Sequence, residues 1–340
     1  MTDLLVGGGG PAGLAAALYA ARAGLEVTVW EPRGEVIDKA CGEGLMPGAV
    51  TALRELGVDP PGHPLAGIRY VAGEAAAQAD FRDGEGRGVR RTALHAALRA
   101  AVVEAGVAIV RRPVTEVVQR EHDVLVDGVP ARYLVAADGL HSPTRRLLGL
   151  EGRPATVRRY GLRAHVERAP WTSHVEVHWS STAEAYVTPV SRDLVGIALL
   201  TTARRPFTEQ LADFPALRTR VEGRRTTAVL GAGPLRQRSS RRVAGRVLLV
   251  GDAAGYVDAL TGEGVALGLA QARAAVAAVA ADDPERYEAA WRRVTWRYRV
   301  LTASLLGVSR VAPLRRGIVP AASALPGLFQ TTVDALARPA

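Results

Sequence analysis

Among its 340 residues the protein has one cysteine and one lysine, and only 5% of its residues are aromatic. A single cysteine excludes an internal disulfide framework and suits a reducing compartment, so a cytoplasmic location is expected. It also leaves no thiolate cage, and the seven histidines show no metal-ligand spacing. His174 and His178 are four apart in strand-like sequence and are expected at the surface; no metal site is expected. No uncharged apolar run reaches the ~18 residues that a spanning helix needs. The nearest candidate, Val265 to Ala281, is interrupted by Gln271 and Arg273. The amino terminus enters a strand-like run almost at once, so no signal peptide is expected.

Arginine is plentiful instead. The formal net charge is +9, with many basic doublets such as Arg90-Arg91, Arg145-Arg146, Arg158-Arg159 and Arg241-Arg242. They are dispersed, with no aromatic-interleaved cluster, so most read as solvated surface and nucleic acid is not an expected partner. Where arginine fills every other cationic position, the lone Lys39 suggests a need for a compact ammonium. It stands in "DKACGEGLMP" with the lone Cys41.

Glycine is concentrated near the amino terminus, in "LLVGGGGPAGLAAALYAARAGLEVTVWE". A short apolar run, a glycine turn, an Ala/Leu-rich helix ending near Gly24 and a second strand make one βαβ unit of about 30 residues. Gly8-x-Gly10-x-x-Gly13 fits the dinucleotide fingerprint: a tight turn, a backbone open to a pyrophosphate, and close helix packing. Pro11 and Ala12 then start a helix whose free N–H groups face the phosphates. Glu31 ends the second strand, where a carboxylate can bond ribose hydroxyls.

Further along, an amphipathic helix covers "RRTALHAALRAAVVEAG", and "ARYLVAADG" is a buried strand ending at Asp138-Gly139. From about 154 to 231 the pattern becomes alternating strands, an antiparallel second layer. "GRVLLVGDAAG" then returns to the α/β pattern with Gly251-Asp252 at a strand end and a helix starting near Gly264. "VLGAGPLRQ" imitates a second fingerprint, but Arg236 stands where its third glycine belongs, so it reads as a crossover. The fold class is α/β. A Rossmann-like nucleotide-binding domain (1–67, 88–153 and 232–284) is interrupted by an antiparallel β-sheet substrate domain (68–87 and 154–231). A helical segment follows at 285–340.

These three motifs, in this order, resemble the FAD-dependent monooxygenase superfamily typified by p-hydroxybenzoate hydroxylase, in the branch near geranylgeranyl reductases. The resemblance implies FAD lying along the fold. Gly8, Gly10 and Gly13 would cradle its pyrophosphate, Glu31 the adenosine ribose, and Arg33 the adenosine end. It further implies Arg91 as a flavin-contacting arginine, the backbone of Val114 beside adenine, and Asp138 at the second motif. Asp252 would meet the ribityl group, and Gly264 with Val265 the pyrimidine edge of the flavin. Lys39, Cys41, Gly42 and Glu43 are assigned to a flavin or substrate pocket, with Lys39, Cys41 and Glu43 as the catalytic candidates. Tyr186 and Pro189 in the β-layer are expected to face substrate.

The leading functional reading is an NAD(P)H-dependent monooxygenase acting on a small aromatic or polyketide substrate of secondary metabolism. A separate flavin reductase is a possible partner. The alternative is a reductase of prenyl double bonds with an isoprenoid substrate. A halogenase ranks lower because its Trp-x-Trp-x-Ile-Pro stretch is missing, as does a non-enzymatic flavin protein. The carboxyl end reads as one helix and then short proline-broken apolar pieces. These form a cap over the pocket, favoured over a basic membrane-touching surface flanked by Arg315 and Arg316.

Overall fold

The computed structural model describes residues 1–34 and 36–338. Its first sheet grows from Thr2–Gly7, which pairs in parallel with Val27–Trp30 on one side and Val129–Ala136 on the other. Ala108–Val110 extends it beyond Val27–Trp30, and Val247–Leu249 beyond Val129–Ala136, both in parallel. Such strands are covered on both faces and read as continuous apolar runs, as "LLV" and "VLL" do. The helix Pro11–Arg22 packs between the helices Arg91–Glu104 and Gly264–Ala280. Gly268 permits that approach, since a Cβ there would stand 3.2 Å from the Ala12 Cβ.

The second sheet has seven strands, five of them Leu230–Ala232, Tyr160–Glu167, Leu194–Thr201, Ala183–Pro189 and His174–Trp179 in spatial order. The hairpin Gly67–Ala72 and Ala75–Asp80 completes it through a parallel pairing of Gly67–Ala72 with His174–Trp179. Its two faces are both covered. Phe207, Phe214 and Leu217 pack against one, and Tyr70, Trp179, Phe329 and Val333 lie in the core on the other. His174 and His178 are therefore buried rather than at the surface, bonded to Asp80 and Glu176 respectively. "VLGAGPLRQ" contributes the edge strand Leu230–Ala232, with no helix after it.

Two further expectations need correction. The carboxyl end is not made of short pieces but of three helices, Arg286–Ser309, Ala312–Ala324 and Pro326–Ala337. Pro313 and Pro326 occupy first-turn positions, where no N–H is needed, and Pro320 is accommodated inside Ala312–Ala324. The arginine doublets are also not uniformly solvated, because Arg145, Arg159 and Arg242 are each buried on acids or carbonyls. Arg315, which the less favoured membrane reading puts on a basic surface, is buried too. Among the described residues no helix is long and apolar enough to cross a membrane, and no His, Cys, Asp and Glu cluster could hold a metal.

Candidate functional site

The glycine turn is shaped by its own backbone. Gly8 has φ of +113°, and a Cβ there would stand 2.5 Å from the Ala137 carbonyl oxygen. At Gly13 a Cβ would stand 1.9 Å from the Gly8 carbonyl oxygen, so that position admits only glycine. Gly10 differs: its φ is ordinary at −73°, and the nearest atom to a Cβ there is Arg91 Nη2 at 3.9 Å. Gly8 and Gly13 hold the turn together, while Gly10 opens onto a cavity.

That cavity runs from the turn to the second sheet. Gly10, Pro11, Ala12 and Arg33 form one end, and Asp138, Asp252, Gly264 and Val265 a second wall. Lys39, Cys41, Gly42, Glu43 and Arg91 line it where the two sheets meet, and Tyr186 lies deeper. Widely separated stretches of sequence thus share one space.

Several local contacts set this geometry. Burial pushes the Glu31 carboxyl up. Hydrogen bonds to its carboxylate outweigh this and hold it below the usual range, from the Arg33 side chain and backbone and from the Gly9 N–H at 2.7 Å. Glu31 lies behind the cavity wall rather than in it, with both oxygens engaged by the protein. Glu31→Ala is therefore expected to loosen the turn and the Arg33 side chain together. FAD affinity should fall about tenfold while FMN affinity, which has no adenosine half to lose, changes little; parallel titrations of the apoprotein with each cofactor measure this.

The Thr144 N–H donates to Asp138 Oδ2 at 2.9 Å, and the other oxygen, Oδ1, is buried without a partner. Arg145, to which the sequence pattern gives no role beyond a solvated doublet, links the two aspartate motifs. Its Nη1 donates to the Ala253 carbonyl and its Nη2 to the Leu140 carbonyl, both at 2.9 Å. An arginine fully buried between two strand ends has no simple sequence signal, since "SPTRRLLG" reads equally as a solvated helix end.

The "DKACGEGLMP" loop is fastened through Glu43, a buried residue held at φ of +60°. Its Oε1 accepts from the Arg91 N–H at 2.9 Å, and its Oε2 pairs with His165 Nε2 at 2.6 Å. Arg163 reaches His165 Nδ1 at 3.2 Å and also pairs with Asp38. Because arginine only donates, Nδ1 accepts and the proton sits on Nε2, facing Glu43. Glu43 is thus an anchor for the loop and for the start of the Arg91–Glu104 helix. His165 and Arg163, both missed from sequence, complete it from the second sheet.

Lys39 Nζ lies 3.7 Å from Asp252 Oδ2, across the cavity. The Tyr186 hydroxyl donates to the Leu260 carbonyl at 2.6 Å. One assignment does not reach the cavity. Pro189 faces away, because Tyr186 and Thr188 point inward and strand alternation turns Pro189 outward, its carbonyl against Gly88. Val114, assigned through its backbone, packs its side chain over Gly7 beside the turn.

Whether these residues suit FAD can be judged from what they leave unsatisfied. The Arg91 guanidinium has a buried Nε with no partner beside the open Gly10, and Asp138 keeps a free oxygen. Burial pulls Arg91 below its ordinary pKa, with Cys41 and Asp252 opposing. An unpartnered cation at a bare backbone turn fits a diphosphate, and a free carboxylate oxygen fits a hydroxyl.

Known proteins agree with this arrangement. The family model described as an FAD binding domain matches residues 1–283. A menaquinone reductase of Mycobacterium tuberculosis is 32% identical over 316 residues, covering 80% of this chain and 75% of that protein. A digeranylgeranylglycerophospholipid reductase of Methanopyrus kandleri is 28% identical, covering 85% of each. Among solved structures, a geranylgeranyl bacteriochlorophyll reductase-like protein from Thermoplasma acidophilum superposes with a TM-score of 0.78 at 18% identity. It covers 98% of this chain and 94% of that one. A flavin-dependent brominase gives 0.80 at 18% identity, covering 99% and 93%. The last two likenesses establish the fold. With the family match spanning most of its length, the protein belongs to the FAD-binding-domain family of p-hydroxybenzoate hydroxylase-like flavoproteins and is an FAD-dependent oxidoreductase.

Proposed function

We propose that this protein is a reductase that saturates a carbon–carbon double bond of an isoprenoid, with a pyridine nucleotide reducing its FAD. The observation that carries this is the chemistry of the deep cavity. Ile68, Tyr70, Val177, Leu200, Leu235 and Leu336 wall it, and three of the five hydroxyls in the lining, all but those of Tyr70 and Tyr256, are already engaged within the protein. Tyr186 donates to Leu260, Thr188 donates to the Gly42 carbonyl at 2.8 Å, and Thr261 pairs with Thr302 at 3.0 Å. A site that selects a phenol needs polar groups aimed at its hydroxyl. An apolar tail needs only shape and dry walls. The names of the relatives, menaquinone reductase and digeranylgeranylglycerophospholipid reductase, support the same choice over aromatic hydroxylation.

When bound, FAD supplies a hydride to one carbon of the double bond, and the protein must deliver a proton to the other. Gly10 and Arg91 would hold the diphosphate, and Asp138 and Asp252 the hydroxyls between it and the flavin. Cys41 lines the cavity, and burial pushes its thiol up, so it holds its proton at neutral pH. It is the group we assign to proton delivery, with the nearby Arg91 cation offsetting the thiolate that results. Leu336, reaching in from the last helix, helps to exclude water.

The test is anaerobic turnover with a panel of polyprenyl lipids, phenols and quinones. The reductase reading expects products gaining two hydrogens without oxygen; products gaining one oxygen atom, formed only in air, would replace it with the hydroxylase reading. Cys41→Ala should lower saturation about 100-fold while the rate of flavin reduction stays unchanged.

A further inference from the structure

A second cavity lies behind the wall made by Gly251, Asp252, Tyr256 and Gly264, the residues it shares with the flavin-side space. We propose that it binds the nucleoside-diphosphate half of the pyridine-nucleotide reductant. The proposal rests on the reading that such a nucleotide reduces the flavin.

Arg236, Arg238 and Arg299 line this cavity, and among the described residues none of the three is paired with a carboxylate. Arg242 also lines it but is already held by Glu288 at 2.8 Å. Among the described residues Asp252, on the shared wall, is the sole acid in the lining, and Lys39 faces it from the other side. Three guanidinium groups gathered without a counter-ion repel one another, and burial with the charges of Arg238 and Arg310 lowers Arg236 from its ordinary pKa. An anion with several oxygens relieves this through paired, charge-assisted hydrogen bonds. An open flat surface is present as well: Trp296 is 57% exposed at the cavity, whereas the buried Trp291 ring is already taken by Arg242 at 3.9 Å and Arg299 at 5.1 Å. Cations beside an open aromatic face suit a phosphorylated base rather than inorganic phosphate alone. The shared wall then places the rest of such a dinucleotide next to the loop that carries Asp252 and Gly264.

FAD-loaded protein is titrated calorimetrically with NADP+, and bleaching of bound FAD by NADPH or NADH is followed without oxygen. Arg236→Gln and Arg299→Gln should each weaken NADP+ binding about tenfold. FAD occupancy should hold in both, and the melting temperature in Arg236→Gln, because neither side chain hydrogen-bonds another part of the protein and only Arg299 stacks on a ring, that of Trp291. Trp296→Ala should also weaken binding, which separates base recognition from plain charge. If NADPH bleaches the flavin equally well in wild type and both arginine variants, the cavity is not the nucleotide site, although the reductant reading survives. If neither nucleotide bleaches the wild-type flavin, the reductant reading itself fails. If NADP+ does not bind but wild type sediments with phosphatidylglycerol vesicles through Arg236 and Arg299, the arginines face lipid phosphate and the proposal is overturned.

Discussion

Gly10→Val is expected to give a folded protein that no longer retains FAD, whereas Gly13→Val is expected not to fold. The two glycines are three apart, yet they differ in what surrounds them. A Cβ at Gly13 would meet a backbone carbonyl oxygen at 1.9 Å, and neither helix nor strand can retreat without unpacking the first sheet. At Gly10 the backbone is extended, a conformation valine adopts readily, and the nearest protein atom is 3.9 Å away. The branched side chain would therefore fill the space above the turn, where a diphosphate must touch the N–H groups. Losing even two charge-assisted hydrogen bonds of about 1.5–3 kcal/mol each lowers affinity by at least two orders of magnitude. Flavin absorbance after gel filtration, with circular dichroism melts of both variants, measures the outcome. A yellow, fully loaded Gly10→Val protein would remove this turn from the cofactor site.

Arg315→Ala is expected to cost about 3–5 kcal/mol of stability, among the largest effects of any single substitution here. Arg315 enters from the helix Ala312–Ala324 and pairs with Glu184 at 2.7 Å, while Glu184 also pairs with Arg159 at 2.6 Å. Arg159 in turn meets Asp258 at 3.1 Å, in the loop after the Gly251-Asp252 motif. Two cations and two anions are thus buried together at the junction of the second sheet, the flavin-side loop and the carboxyl-terminal helices. Removing one cation leaves excess negative charge in a dry site. Burial already pushes Asp258 up to about 6, and without Arg315 the cluster should bind a proton more tightly still when folded. The folded state then holds more protons than the unfolded one, so the variant's stability should fall as pH rises from about 4 to 7. The double variant Arg315→Met, Glu184→Gln should recover much of the loss, since it removes opposite charges together. Chemical denaturation across that pH range decides it; a single variant as stable as wild type at every pH would show the cluster to be solvated.

The same contacts change what truncation means. On sequence alone the carboxyl end is a cover that can be removed, leaving the nucleotide fold untouched. In the structure its removal after 312 takes away Arg315, Phe329 and Val333 and exposes the core around Tyr70 and Trp179 that they cover. A point change at Leu336, which lines the cavity, disturbs the cover without that penalty.

The nucleotide half was legible because its determinants are local. The turn needs glycines at fixed offsets, the helix must begin at the turn, and parallel strands must be apolar throughout. All three requirements are written in consecutive residues, from Leu4 to Glu31 and again from Val247 to Gly264. The alternation from Tyr160 to Thr201 likewise announced an antiparallel layer. What alternation did not settle was which face looks into the cavity, and so Tyr186 and Pro189 were paired although the two do not share a face where the strand ends.

The rest depended on tertiary structure because it consists of partnerships between distant residues. A buried arginine and a solvated one have the same local sequence, and Arg145, Arg163 and Arg315 are buried only because carbonyls and carboxylates far apart in sequence converge on them. Glu43 likewise became an anchor only when His165 was brought to within 2.6 Å of it across 122 positions of sequence. By itself the sequence determined the fold class and a dinucleotide-binding turn, since backbone shape at a glycine turn and the period of apolar residues are local; its motifs named FAD only through the family they resemble. Folding decided which charges pair, which hydroxyls are left for a substrate, and hence the apolar character of the cavity, because those properties arise only when separate segments exclude water from one another.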